Sequence, residues 1–82
     1  MNILPVDLRV IQYLAKRGLL KKFEKQAHFF RDTPFHPSLN TELMEPKGMR
    51  VWSFRVDKKY RAIFIFRARD TIEVLEVNDH YQ

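Results

Sequence analysis

Cysteine is absent from the 82-residue chain. That excludes a disulfide framework and any thiolate metal site, and it fits a reducing compartment, so a cytoplasmic location is expected. Only two glycines occur, Gly18 and Gly48, too few for a Walker loop or a dinucleotide fingerprint. No apolar run approaches the length of a membrane span, and the N-terminus lacks the charged-then-apolar pattern of a signal peptide. The three histidines, His28, His36 and His80, lie far apart without ligand spacing, so no metal and no other cofactor is expected. No serine sits in a strand-turn-helix elbow, which leaves a serine hydrolase without support. The strand-like segments carry no paired carboxylates on one face.

What is present is basic and aromatic. Fifteen Lys and Arg against ten Asp and Glu give a net charge of +5, a balance that favours nucleic acid, an anionic surface or an acidic protein as partner. Seven Phe and one Trp supply a core for one small domain, residues 1–82, near the size at which a single core just suffices.

Residues 3–6 form a brief apolar stretch broken by Pro5, at best a short edge strand. Asp7 suits a helix N-cap, with Val10, Ile11, Leu14 and Ala15 at helical spacing and Gly18 to close the helix. A second helix over residues 20–31 places Leu20, Phe23, Ala27 and Phe30 on one stripe. Lys21, Lys22, Lys25 and Arg31 stay outside it, either a solvated face or a phosphate-facing ridge. So short a link makes the two helices a hairpin. The Pro-rich residues 32–38 end the second helix. Strands follow at 39–45, 49–56, 60–67 and 71–78, with Pro46-Lys47-Gly48 as a turn in which glycine takes the positive φ. The pattern predicts an α+β fold of two layers: an N-terminal helix hairpin on one face of a mostly antiparallel sheet of four to five strands. The other face is expected to be open.

Residues 51–66 are the most informative stretch. Alternation puts Trp52, Phe54, Val56, Tyr60, Ala62, Phe64 and Phe66 on one side, a core face, and Val51, Ser53, Arg55, Arg61, Ile63 and Ile65 on the other. A loop of Asp57-Lys58-Lys59 sets Arg55 opposite Arg61. A second loop at 68–70 places Ile72 and Val74 on the aromatic face, and Glu73, Leu75 and Val77 on the arginine face. Like charges facing each other in a sheet are unfavourable, so the arginine pair either holds an anionic ligand or is bridged by a carboxylate such as Glu73.

Arg, Lys, His and Tyr suit cleavage of RNA without a metal. The 2′-hydroxyl attacks the adjacent phosphate, a base takes its proton, a cation steadies the charge and an acid protonates the leaving oxygen. His80 and Tyr81 stand just past the last strand, where they either reach the open face or form an inert tail. Lys47 either reaches phosphate or solvates its turn. His36, between Phe35 and Pro37, is a packed loop residue or lies at the cleft edge.

His36-Pro37-Ser38-Leu39, Trp52-Ser53-Phe54-Arg55-Val56, Tyr60-Arg61-Ala62-Ile63-Phe64, Glu73-Val74-Leu75 and Asp79-His80-Tyr81, in that order and spacing, resemble the RelE/ParE toxin superfamily over nearly the whole chain. The resemblance implies the toxin of a type II toxin–antitoxin pair. In the RelE/YoeB-like branch that toxin is a metal-independent endoribonuclease, an mRNA interferase acting on the ribosome, and its partner is a cognate antitoxin. It implies Arg61, His80 and Tyr81 as catalytic residues and Arg55 as a phosphate contact, to which the reading of the residues adds Lys47 and His36 as candidate RNA contacts. The glutamate base that some members place shortly before the second strand has no evident counterpart, Pro37 and Ser38 standing in that neighbourhood, so His80 and then His36 are the candidate bases. The same superfamily contains ParE-like gyrase inhibitors, and an inactive, antitoxin-binding member is a further alternative.

Overall fold

Asp7 begins the first helix by accepting a hydrogen bond from the Arg9 backbone N–H at 2.7 Å, satisfying one of the donors that a helix start leaves open. This computed structural model describes residues 1–80. Helix α1 (Leu8–Lys16) turns over within three residues into α2 (Leu20–Asp32). Gly18, at φ +66°, donates to the Ala15 carbonyl, and the Leu19 N–H reaches back to Leu14 at 2.8 Å. That pair of bonds is the Schellman arrangement, which needs a left-handed residue after the helix.

Five strands follow the topology β1-β5-β4-β3-β2: β1 (Asn2–Ile3), β2 (Glu42–Leu43), β3 (Trp52–Arg55), β4 (Arg61–Ala68) and β5 (Thr71–Asn78). Only β1 runs parallel to its neighbour; the other pairings are antiparallel. The expected register across β3 and β4 holds, with Arg55 opposite Arg61 and Trp52 opposite Phe64. The Asp57 side chain closes the loop by accepting from the backbone N–H groups of Lys59 and Tyr60. Burial by itself raises the Asp57 carboxyl, but those two N–H bonds and Lys22 outweigh it and hold the group below the ordinary carboxylate range.

The helix pair covers one face of the sheet. Leu14, Phe30, Phe54, Phe64 and Ile72 are fully buried, with Val10, Phe23, Ala27 and Val74 around them. Phe30 packs between Phe54 and Phe64, ring centroids 5.2 and 5.1 Å away.

Several expectations need correction. The strand predicted over 39–45 shrinks to Glu42–Leu43; Pro37–Leu39 is instead a 3-10 turn that drops Leu39 into the core. The 46–48 turn becomes a 3-10 turn over Lys47–Met49, and the left-handed residues are Asn40 and Arg50, not Gly48. Val77 faces the core rather than the arginines. Phe64 pairs with Val74 while Ile63 pairs with Glu76, so Leu75 is an extra residue that reverses the parity beyond it. Trp52 is only half-buried, and with exposed Phe35 and Phe66 it rims the core instead of filling it. The second face is not open throughout, since Ser53, Arg61 and Ile63 are all buried.

Candidate functional site

Arg61 explains that closure. Its guanidinium lies across Ser53, with Nε donating to Ser53 Oγ at 2.9 Å and Nη2 donating to the Asn40 carbonyl at 2.6 Å. The residue is 6% exposed. Glu42, opposite Ser53 on β2, brings Oε1 to 4.0 Å from Nη2 and is itself part-exposed. A carboxylate beside a guanidinium, at the lip of a sheet, is therefore built from three adjacent strands. Glu42 is a carboxylate that the sequence pattern did not single out: it stands in β2, past the turn that holds Pro37 and Ser38. Its one signal was position, a carboxylate in the strand that must pair with Trp52-Ser53. Glu73, the alternative bridge for the arginines, instead pairs with Arg67 at 2.6 Å.

The other predicted site residues are spread more widely. Arg55 is exposed beside Arg61, and its carbonyl accepts from buried Gln26 at 2.8 Å. Gln26 also donates to the Ser38 carbonyl, so one side chain fixes both β3 and the loop that carries Asn40. Lys47 is exposed in its turn. His36 is the packed loop residue: its ring stacks on Phe29 with centroids 4.4 Å apart, and Nδ1 accepts from the Ser38 N–H. His80 is exposed, two residues beyond Asn78, which is the cross-strand partner of Arg61. Tyr81 lies outside the described residues.

His80 borders a feature that the sequence pattern missed. Strand β1 pairs only with Thr71 and Ile72, so the outer edge of β5 beyond them runs beside α1 instead of another strand. There a cleft of about 430 Å³ opens between Tyr13, Arg17, Tyr60, Glu76, Val77, Asn78, Asp79 and His80. The Arg17 guanidinium sits 3.5 Å from the centroid of the Tyr13 ring, a cation–π contact at helical i,i+4 spacing. Tyr60 meets Tyr13 edge-on at 6.3 Å. Burial, with Tyr60, Asp79 and Glu76 adding to it against Arg17, raises the Tyr13 hydroxyl above its ordinary range, so it stays a hydrogen-bond donor at neutral pH. No helix among the described residues is long and apolar enough to cross a membrane.

No protein-family model matches the sequence, and no curated protein matches it. Solved structures do match. A YoeB/ParE toxin from Agrobacterium tumefaciens superposes with a TM-score of 0.72 at 16% identity, over 99% of this chain and 100% of that one. A YoeB–YefM complex from Staphylococcus aureus gives 0.70 at 14% identity, over 99% and 98%. A copper-bound mutant toxin from Helicobacter pylori gives 0.70 at 12%, over 96% and 91%. The chain thus has the fold of the YoeB/ParE toxins from end to end, as its sequence motifs implied.

Proposed function

We propose that this chain is the toxin of a toxin–antitoxin pair and that it cuts mRNA, on the ribosome, without a metal. The observation that carries the reading is the Glu42–Arg61 pair at the lip of a YoeB-type sheet. Glu42 takes the proton of a ribose 2′-hydroxyl as its oxygen bonds to phosphorus. The P–O5′ bond breaks, and the departing oxygen takes a proton from His80 or Tyr81. The products are a 2′,3′-cyclic phosphate and a 5′-hydroxyl end. Arg61, held in one orientation by Ser53 and Asn40, offers charge to the phosphate with no reorganisation at the moment of reaction. Arg55 and Lys47 draw the RNA backbone towards it. His80, exposed just past β5, is the side chain proposed for the acid role.

An acidic or amphipathic antitoxin is the expected protein partner, by charge complementarity with a chain of net charge +5. The YoeB of Staphylococcus aureus is solved in complex with YefM, which supports that expectation. The commitment of the Arg61 guanidinium to Ser53 and Asn40 favours a second reading, in which the fold inhibits gyrase, or only binds its antitoxin, and cuts nothing. Induced expression followed by primer extension on translated messages separates the two. New 5′ ends within codons support the nuclease; growth arrest with intact mRNA and trapped gyrase–DNA complexes would replace it with the second reading.

A further inference from the structure

Gln26 is a polar side chain where the helix pattern asks for an apolar one. It shares the buried side of α2 with Phe23, Ala27 and Phe30, and is 7% exposed. An amide taken out of water costs stability unless its hydrogen bonds are made. Here Nε2 donates to the Arg55 carbonyl at 2.8 Å and to the Ser38 carbonyl at 3.1 Å. The two N–H groups of one nitrogen thus serve acceptors on two separate segments. Those are the segments that grip Arg61. Ser53, which accepts from Arg61 Nε, lies two residues before Arg55 on β3. Asn40, whose carbonyl accepts from Nη2, lies two residues after Ser38, and Glu42 follows two residues later in β2. The start of the loop is tied as well: His36 stacks on Phe29 of α2, and Thr41 Oγ1 donates to the Pro34 carbonyl at 2.6 Å. Gln26 bonds this loop and β3 from a single atom.

We propose that Gln26 is a positioning residue of the Arg61 site, a tether that sets the spacing between β3 and the 38–42 segment. That spacing fixes the direction in which the guanidinium and Glu42 meet a phosphate. The proposal rests on the RNA-cutting reading above and adds how the site is held. Gln26 touches no substrate and acts through two backbone carbonyls. An apolar residue would fill the same space in the core but leave the two segments unlinked at this point. The guanidinium, bonded to both, would then lose its single orientation. Misplacing a reacting group by about an ångström costs up to about a hundredfold in rate.

The test compares the full chain with Gln26→Met, which keeps length and bulk without the donors, and with Gln26→Asn, whose shorter amide reaches one carbonyl at a time. Val10→Ala, a core deletion on α1, is the control for lost stability. One readout is proton exchange at the Arg61 Nε–H by NMR, assigned as the signal missing from Arg61→Lys. The other is single-turnover cleavage of ribosome-bound mRNA over a range of toxin concentrations. In Gln26→Met the Nε–H should exchange several-fold faster. The maximal rate should fall roughly 10- to 100-fold, with the half-saturating concentration unchanged. Gln26→Asn should move both in the same direction by less, and it carries the test if Gln26→Met does not fold. Val10→Ala should lower the melt and leave both readouts near the parent. Exchange unchanged in the folded Gln26 variants, or quickened equally by Val10→Ala, would overturn the positioning role. Cleavage at the parent rate by Gln26→Met would overturn it too, while keeping the nuclease. A parent that leaves mRNA intact, with the Nε–H still freed in Gln26→Met, would remove the nuclease and keep the tether.

Discussion

At the scale of single residues, Arg61 stands in the proposed chemistry and also holds structure, and that changes how it must be tested. Removing it by Arg61→Ala strands the buried Ser53 hydroxyl and the Asn40 carbonyl, each without its donor. Leaving a buried polar group unsatisfied costs about 1–3 kcal/mol, so the thermal midpoint should fall along with toxicity. Exposed His80 carries no such burden: His80→Ala should abolish growth arrest with an unchanged melt. Glu42→Gln makes a third arm, keeping shape but removing the proposed base, and on that proposal should depress cleavage while sparing antitoxin binding in a pull-down. Asp57 sets an acid limit of a different kind. Its carboxyl is held below its unfolded value of 3.8, so it contributes stability in full above that value and loses the contribution as pH falls through the folded one. Melting the parent and Asp57→Asn from neutral pH down to about 3 should show the two curves converging at the acid end.

At the scale of elements, the hairpin of helices hangs on one backbone conformation. Gly18 at φ +66° has open space around a would-be Cβ, so Gly18→Ala clashes with nothing and its cost is conformational alone. A loss of about 1 kcal/mol is expected in denaturant melts. Both helices, the β3–β4 register and β5 were legible because their signals are local: an N-cap at Asp7, a glycine stop, alternation through Trp52 to Phe66, a polar loop at 57–59. The 39–50 segment was not. Its conformation answers to tertiary demands, namely a pocket for Leu39, the Arg61 guanidinium drawing on the Asn40 carbonyl, and Gln26 bonding Ser38. The extra residue at Leu75 was equally silent, since alternation read straight through it gives the wrong face for Val77. Glu42 went unrecognised for the same reason as the segment around it. The α1–β5 cleft needs Tyr13, Tyr60 and Glu76 to meet across the fold, which no spacing in the chain announces.

At the scale of the whole molecule, two quantities follow. With a net charge of +5, the proposed contact with RNA would release counterions, so affinity for a short single-stranded RNA should fall steadily as salt rises. The core has its centre at Phe54, not Trp52. Phe54→Ala should cost about 3–5 kcal/mol as a buried aromatic deletion; half-buried Trp52 should cost less, and equal losses would contradict the packing described.

The parallel pairing of Asn2–Ile3 with Thr71–Ile72 has a consequence for how the chain is made. Synthesis delivers the helix hairpin first, with Phe23 and Phe30 turned towards a sheet that does not yet exist. Strand β5 is made after β1 to β4, and only then can β1 find its neighbour and Asn78 pair with Arg61. Until that pairing forms, the exposed aromatics of the helix hairpin are open to capture.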